Sequence, residues 1–410
     1  MKPVLTILLL IACQGLFAKT IIVGKDQVIT SLRRAVELAG NNDTILLGKG
    51  VYKEGNIIIN KPIHLIGIGQ PVLDGEHKYE ILTVSANGII IKGIHFKNSG
   101  YSSMNDLAAI NLVDAANTVI ENNLIENSYF AIHLGNSRHC TISNNIIKST
   151  PKTEQTSGNG IHLWKCDSMI VKENDIQGHR DGIYFEFVTN SIISGNISHD
   201  NLRYGLHFMF SNHDTYTENI FRRNGAGVAV MYSRHVAMLA NTFESNWGPN
   251  AYGLLLKEIS DATIHKNIFV YNTVGILMES TNRIDARLNS FKNNGWALRI
   301  QASCSESLLH NNNFQGNTFD VATNGTMMLN RFSNNYWDKY EGYDMNRDGK
   351  GDVAYHPVSM YSMVIERNPP AIILLRSFMV FLLDKAERAI PSLTPENLVD
   401  EQPLMKALRL

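Results

Sequence analysis

The stretch GLHFMF, at residues 205 to 210, places an imidazole and a thioether where a half-exposed strand usually carries charged or hydroxyl side chains. Successive side chains of a strand point to opposite faces, so His207 and Met209 would share one face and the apolar residues the other. Imidazole and thioether groups together suit Cu(I), a soft ion, whereas calcium and magnesium prefer oxygen ligands. One strand cannot complete such a site, so the chemistry depends on which residues the fold brings alongside.

A repeat of 22 or 23 residues runs through most of the chain and supplies those neighbours. Its marker is an asparagine in an Asn-x-hydrophobic setting, with a Gly or Ala that opens a short strand fourteen residues earlier. The asparagines are Asn123, Asn145, Asn174, Asn196, Asn219, Asn241, Asn267 and Asn289, continued by Asn311 or Asn312. This period, with β-branched strands and no helical pattern, predicts an all-β solenoid of parallel strands, a β-helix, with coils about 4.8 Å apart. The asparagines are expected to form a ladder of amide hydrogen bonds.

If the coils have equal length, residues at the same position of successive repeats stack on one another, and their side chains form a column. Counted from each opening Gly or Ala, the first, third and fifth positions are apolar and are predicted to face inward. These residues are Ile183, Phe185, Phe187, Leu206, Phe208, Phe210, Val228, Val230 and Tyr232. The second and fourth positions then face outward, and they hold the candidate copper ligands, which the pattern places in one patch. The candidates are His162, Glu186, His207, Met209 and Met231.

A different interpretation of this outward face stays open. Methionine adapts to irregular apolar surfaces, so a loop or a partner protein could cover the face. The candidate partner-contact residues are Trp164 and Tyr184 of the same columns and Trp247 of an inserted loop. Insertions at residues 149 to 159 and 245 to 252 both precede a strand opened by glycine, so both loops would flank this one sheet.

His213 and His235 form a second candidate pair. Both lie eight residues after an opening glycine, so the repeat stacks one above the other. They are either further copper candidates or two ordinary surface histidines.

Polysaccharide cleavage is the rival function, because many parallel β-helices cut acidic polysaccharides. Lyases of that kind need a carboxylate cluster for calcium together with a basic residue, and hydrolases need two carboxylates at a suitable separation. The outward columns offer Glu186 and Glu279, four coils apart. We therefore predict a protein that is not an enzyme and has no catalytic residues.

The first eighteen residues, MKPVLTILLLIACQGLFA, have the charge, apolar core and small final residue of an export signal. Residues 10 to 13, LIAC, also resemble a bacterial lipobox, in which case Cys13 would become an acylated N-terminus. Both forms predict a periplasmic chain, free or lipid-anchored. The formal charge of −1 gives no basic excess for binding nucleic acid. Three cysteines remain after Cys13, an odd number that argues against a disulfide framework.

The solenoid is predicted to span residues 19 to 365. Near its start, Thr30-Ser31 and the stretch LRRAVELAG indicate a short capped helix, ended by Gly40, that covers the first coil. Near its end, DMNRDGKGD resembles an EF-hand loop without the terminal glutamate, and either binds Ca²⁺ or forms hydrogen-bonded Asx turns. The candidate calcium ligands are Asp344, Asn346, Asp348 and Asp352.

The tail, residues 366 to 410, contains an apolar run from 371 to 383. About 20 residues are needed to cross a bilayer, so the run is too short to span one. It is expected to lie in the membrane surface or dock on a membrane protein through Phe378, Phe381 and Leu382, and the alternative is packing back on the last coil. The remaining residues are expected to form a loosely held arm.

Six stretches together resemble the NosD family of accessory proteins for nitrous oxide reductase maturation. They are DGIYFEFVTNS, LRYGLHFMFSNHD, GAGVAVMYSR, AYGLLLKEI, GNTFDVATNG and NYWDKYEGYDMNRDGKGDV. The resemblance implies an exported, right-handed β-helix that works with a membrane ABC transporter and a copper chaperone lipoprotein. It would deliver copper for the copper-sulfide centre of nitrous oxide reductase, with the apolar tail on the transporter's membrane subunit. The alternative is a scaffold that gathers these partners and binds no copper.

Overall fold

Short apolar and β-branched runs form strands of two to six residues, and each strand pairs in parallel with the equivalent strand one coil away. The computed structural model describes residues 18–102, 104–150, 153–325, 329–375, 377–389 and 398–410. The expected export signal up to residue 17, with Cys13, lies outside these residues. Within them the chain is a parallel β-solenoid with three sheets, which confirms the predicted fold class.

One sheet faces the candidate site and has twelve strands in the described chain. They are Ile57–Ile59, Leu82–Val84, Ala108–Val113, Phe130–Gly135, Ile161–Trp164, Asp181–Glu186, Tyr204–Met209, Ala226–Met231, Leu254–Lys257, Val274–Glu279, Trp296–Ile300 and Phe319–Thr323.

The chain then turns into a sheet of fourteen described strands. They are Thr20–Val23, Thr44–Leu47, His64–Gly67, Ile90–Lys92, Val119–Glu121, Thr141–Ser143, Ile170–Lys172, Ile192–Ser194, Thr215–Thr217, Ala237–Leu239, Thr263–His265, Asp285–Arg287, Ser305–His310 and Leu329–Ser333.

The third side has thirteen described strands. They are Val51–Tyr52, Val72–Asp74, His95–Lys97, Leu124–Glu126, Ile146–Lys148, Asp175–Gln177, Ile197–His199, Ile220–Arg222, Thr242–Glu244, Ile268–Val270, Ser290–Lys292, Asn313–Gln315 and Tyr336–Trp337.

The core is a set of stacked apolar columns between the three sheets. In the thirteen-stranded sheet, aromatic rings stack from coil to coil, with Phe243 and Phe269 centroids 4.6 Å apart and Phe314 and Trp337 centroids 4.1 Å apart. The described cysteines, Cys140, Cys166 and Cys304, are buried free thiols among these columns. Burial raises the pKa of Cys166 to about 12, so this thiol is inert at neutral pH.

Two asparagine ladders hold the corners of the coils. The predicted ladder is confirmed: each amide oxygen accepts from the backbone and side-chain nitrogens of the asparagine in the preceding coil, as Asn267 does from Asn241 at 2.9 and 3.1 Å. Asn312 and Asn335 continue it. A second ladder, which the sequence interpretation missed, lies one corner further along the chain. Its members are Asn201, Asn224, Asn246, Asn272, Asn294 and Asn317.

The prediction for the fifth apolar position is wrong. Phe187, Phe210 and Tyr232 each follow the last residue of a strand and have φ values of 55°, 51° and 54°. This left-handed conformation turns the side chain away from the core, so the three rings are exposed. They form a stacked row along the outside, with centroid distances of 5.1 and 5.0 Å.

Both ends of the solenoid are covered. Helix α1, Leu32–Leu38, is capped by the Ser31 hydroxyl, which accepts a hydrogen bond from the Arg34 backbone N–H, and its buried side chains face the first coil. At the other end the predicted loosely held arm is wrong for residues 398–410, which return to the last coil. The Asp400 carboxylate is buried and accepts hydrogen bonds from both nitrogens of Asn335 at 3.0 Å, so it ends the first ladder.

The tail contains helix α2, Met360–Arg367, a 3₁₀ segment, Pro369–Leu374, and helix α3, Phe378–Ala389. These tail elements pack on the outer face of the twelve-stranded sheet. The contact joins Phe319 and Trp296 of the sheet to Tyr361, Ile365 and Val380 of the tail. None of the helices in the described part of the chain is both long enough and apolar enough to cross a membrane.

Candidate functional site

The outer face of the twelve-stranded sheet has the two predicted columns. The second-position column is Asn111, His133, His162, Tyr184, His207, Ala229 and Leu255. The fourth-position column is Val113, Gly135, Trp164, Glu186, Met209, Met231, Lys257 and Glu279. Equal coil lengths therefore bring residues two dozen positions apart into adjacent strands, as the repeat predicted.

His207 lies under aromatic rings and is only 5% exposed. Its ring stacks on Tyr184 at a centroid distance of 4.8 Å and contacts Tyr204 at the same distance. Neither ring nitrogen has a hydrogen-bond partner among the described residues. Nδ1 lies 3.7 Å from Asp181 Oδ2, which is too long for a hydrogen bond. The imidazole is therefore held in place with its lone pair uncommitted.

A fixed negative charge lies beside this imidazole. Asp181 is fully buried and accepts hydrogen bonds from Arg203 Nε at 2.8 Å and from Arg203 Nη2. Burial alone would raise the pKa of Asp181, but the Arg203 guanidinium, with the nearby His207 ring, holds that pKa below its ordinary value. The carboxylate is ionised at neutral pH and Arg203 compensates its charge.

Met209 and Met231 are partners in parallel register, and Glu186 is the partner of Met209 on the other side. All three are half-buried. The Tyr184 hydroxyl donates to the Met209 sulfur at 3.4 Å. The outer face also has an apolar cluster, against which Met231 packs with Tyr252. Apolar packing is expected if a loop or a partner protein covers this face. The packing of Met231 therefore supports that alternative for this residue.

His162 is not beside His207. Tyr184 lies between them in the column, so the two imidazoles are two coils, or about 10 Å, apart. His162 instead contacts His133, with ring centroids 5.0 Å apart. One ligand atom each of Asp106, His133 and His162 lies within 4.8 Å of the others. The column pattern contained His133, but Asp106 belongs to a loop outside the repeat, and sequence reasoning missed it.

His213 and His235 lie apart from this face. They stack as predicted, with centroids 4.8 Å apart, at the corner between the twelve- and fourteen-stranded sheets. Both are exposed and have positive φ values of 60° and 55°. The structure brings them to each other and not to His207.

The predicted partner-contact residues occupy two regions. On the outer face, Trp164 is half-buried with Lys165 Nζ 4.3 Å from its ring centroid, and Trp247 is exposed in the second inserted loop. At the tail, the side chains of Phe378, Phe381 and Leu382 are exposed.

The calcium-like loop contains the hydrogen bonds of an Asx turn. Asp344 accepts from the backbone N–H groups of Asp348 at 3.2 Å and Gly349 at 2.9 Å, and Asn346 accepts from Asp348 at 3.0 Å. Asp352 accepts from the backbone N–H of Met345 at 2.6 Å. Calcium binding by this loop stays a prediction.

The spacing of the outward carboxylates disfavours glycoside hydrolysis. Glu186 and Glu279 belong to the same column, four coils apart, which is about 19 Å at about 4.8 Å per coil. Paired carboxylates in hydrolases lie about 5 to 10 Å apart.

Solved β-helix structures share the fold. A mannuronic acid specific polysaccharide family 6 lyase from human gut microbiota superposes with a TM-score of 0.59 at 12% identity, covering 91% of this chain and 99% of that one. The surface adhesin PfbA of Streptococcus pneumoniae gives 0.50 at 12% identity, covering 74% and 84%. At these identities the likeness concerns the fold alone.

Sequence relatives are more specific. Residues 143–346 match the family model described as "Periplasmic copper-binding protein (NosD)". A "Probable ABC transporter binding protein NosD" of Pseudomonas aeruginosa is 30% identical over 383 residues, covering 88% of this chain and 87% of the relative. The protein of the same description from Stutzerimonas stutzeri is 27% identical and covers 88% and 86%. This chain therefore belongs to the NosD family.

Proposed function

We propose that this protein is a periplasmic accessory factor that accepts Cu(I) and passes it on for assembly of the copper-sulfide centre of nitrous oxide reductase. One observation supports the proposal most strongly. Neither nitrogen of the buried His207 ring has a hydrogen-bond partner among the described residues, and Met209 of the same strand is in register with Met231. The family description as copper-binding supports copper as the ion.

The donor set suits a cargo ion better than a permanent cofactor. The thioether sulfurs are soft ligands that favour Cu(I), and together with a neutral imidazole they would release the ion by ligand exchange to a stronger site. The Tyr184 hydroxyl would have to leave the Met209 sulfur when that sulfur binds copper. This mechanism breaks no bond in a substrate.

The proposed partners are those that the family resemblance implies, and exposed or half-buried apolar residues offer surfaces for them. A copper chaperone lipoprotein would dock on the outer face near Trp164, Tyr184 and Trp247, and nitrous oxide reductase would receive the ion. Helix α3 would dock on the membrane subunit of an ABC transporter through Phe378, Phe381 and Leu382. The transporter-binding description of the relatives supports this arrangement.

Cu(I) affinity, measured anaerobically by competition with a chromophoric chelator, tests the copper proposal. The double variant Met209→Leu and Met231→Leu should keep the fold and lose at least 90% of the bound Cu(I), because leucine has a similar shape but no donor atom. Met345→Leu, an exposed methionine outside the site, is the matched control. Undiminished copper in the double variant would refute the placement.

A scaffold that binds no copper is the second candidate, supported by the packing of Met231 in the outer apolar cluster. It predicts no chelator-resistant Cu(I) in the unmodified protein.

Docking of the tail is tested by co-purification with the transporter's membrane subunit. The triple variant Phe378→Ser, Phe381→Ser and Leu382→Ser should lose that subunit, because the exposed apolar side chains would supply most of the contact. Val28→Ser, which alters an exposed side chain near the other end, should retain it. Equal recovery from both variants would contradict docking through this helix.

A further inference from the structure

We infer that Asp106, His133 and His162 form a second metal site, specific for a divalent ion such as Zn²⁺ or Cu²⁺ and separate from the proposed Cu(I) surface. Each residue presents a nitrogen or oxygen ligand atom within 4.8 Å of the other two. This inference is independent of copper transfer, since it uses neither Met209 nor Met231.

Three segments converge on the site. His133 and His162 are register partners on Phe130–Gly135 and Ile161–Trp164, so the sheet itself fixes the spacing of the two imidazoles. Asp106 comes from the loop that precedes Ala108–Val113 and reaches the same point from the side.

A chain of hydrogen bonds orients the His133 ring and leaves its Nε2 atom available to a metal. The Asn111 amide nitrogen donates to Glu80 Oε2 at 3.1 Å, so the Asn111 oxygen faces the His133 ring. His133 Nδ1 lies 3.0 Å from that oxygen and therefore carries the proton. Nε2 is left with its lone pair. Carbonyl or carboxylate groups that accept a hydrogen bond from the other ring nitrogen orient the histidines of metal sites.

His162 is the buried member of the site. It is 8% exposed, and neither ring nitrogen has a hydrogen-bond partner among the described residues. A lone pair of this ring is therefore available to a metal ion.

The donor set selects the kind of ion. Two imidazole nitrogens and one carboxylate oxygen suit Zn²⁺ and Cu²⁺, of which Cu²⁺ is bound more tightly by sites of this type. The set contains no sulfur for Cu(I), and it has too few oxygens for Ca²⁺. Three protein ligands leave one coordination position for water or for an exogenous group.

The test uses the full mature chain, stripped with a chelator and titrated separately with Zn²⁺ and Cu²⁺. We expect Asp106→Asn and His133→Asn each to weaken Zn²⁺ binding at least tenfold. The electron paramagnetic resonance spectrum of bound Cu²⁺ should show coupling to two imidazole nitrogens, reduced to one in His133→Asn. The control is His139→Asn, an exposed histidine whose φ of 55° asparagine tolerates.

Asp106 is exposed and His133 is half-buried, so both variants are expected to fold even if His162→Asn does not. Zn²⁺ affinity that is unchanged in both would overturn the site and would assign the bound ion to other surface groups. The Met209→Leu and Met231→Leu variant should keep full Zn²⁺ affinity while it loses Cu(I). Failure of the copper proposal and failure of the divalent site are therefore separate results.

Discussion

At positions 162 and 207 the chain buries imidazoles whose ring nitrogens have no partner among the described residues. A buried polar group without a partner costs about 1–3 kcal/mol, so the fold is less stable with these rings than with apolar ones of the same shape. The amide of Asn241 in the first ladder, by contrast, is fully hydrogen-bonded to its neighbours. A metal ion would convert each uncommitted lone pair into a bond, which is a physical reason for these residues to bind one.

Asp214 gives a prediction about pH. It is fully buried, its Oδ1 accepts from the Ser191 backbone N–H at 2.8 Å, and Oδ2 has no partner among the described residues. Burial raises its pKa to about 8 from an ordinary value of 3.8. Between these values the folded chain keeps a proton that the unfolded chain has lost, so stability falls as pH rises from about 4 to about 8.

Asp214→Asn should remove this loss, because asparagine keeps the Ser191 contact and has no proton to release. One pKa unit corresponds to about 1.4 kcal/mol, so at pH 8 the variant should be more stable than the unmodified chain by at least about 2 kcal/mol. Thermal unfolding at pH 5, 6.5 and 8 measures the difference, with Glu401→Gln, an exposed carboxylate, as control. Parallel pH profiles for the Asp214 variant and the unmodified chain would contradict a protonated Asp214.

The asparagine ladder acts at the level of the coil. Asn241 donates its backbone N–H and amide to Asn267, donates to the Tyr216 carbonyl at 2.9 Å, and accepts two bonds from Asn219. One side chain therefore satisfies polar groups in the coil before it and the coil after it. The result is a cooperative unit, since no coil can unwind without leaving its neighbours unsatisfied.

Asn241→Ala is expected to lower the free energy of unfolding by about 3 kcal/mol or more, because several buried groups lose their partners at about 1–3 kcal/mol each. Chemical denaturation monitored by circular dichroism measures the change. Asn60→Ala, at an exposed asparagine, should change stability by less than about 0.5 kcal/mol. Equal midpoints for the two variants would show that the ladder does not limit stability.

The repeat made the columns predictable because strand alternation and coil length are both visible in the sequence. The prediction failed for Phe210, because the residue after the last one of the strand has a left-handed backbone. Its side chain therefore no longer follows the inward and outward alternation of the strand. The prediction also missed Asp106, because periodicity links only equivalent positions of successive coils and says nothing of loops between them. The second ladder was visible as a spacing, as in Asn224 and Asn246, but the interpretation followed a single asparagine per repeat.

At the scale of the whole molecule, the solenoid must close two exposed ends. An uncovered last coil would present apolar columns and unpaired strand edges to solvent. Residues 398–410 meet this need at the C-terminal end, with Leu404 bridged to Tyr336 and Leu408 bonded to Asn313 at 2.8 Å. Sequence reasoning could not find this cap, because Asp400 lies 65 residues after the Asn335 amide that it completes.

Asp400→Ala tests the cap. The carboxylate accepts from Asn334, Asn335 and the Trp337 indole N–H, so its loss leaves these groups unsatisfied and releases the arm from the last coil. We expect a lower melting temperature, faster amide hydrogen exchange in strands Leu329–Ser333 and Tyr336–Trp337, and concentration-dependent association through the freed edge. Glu401→Ala, which removes the exposed carboxylate next to it, is the matched control and should leave all three unchanged. If these amides exchange no faster in Asp400→Ala than in the control, residues 398–410 do not protect the end of the solenoid.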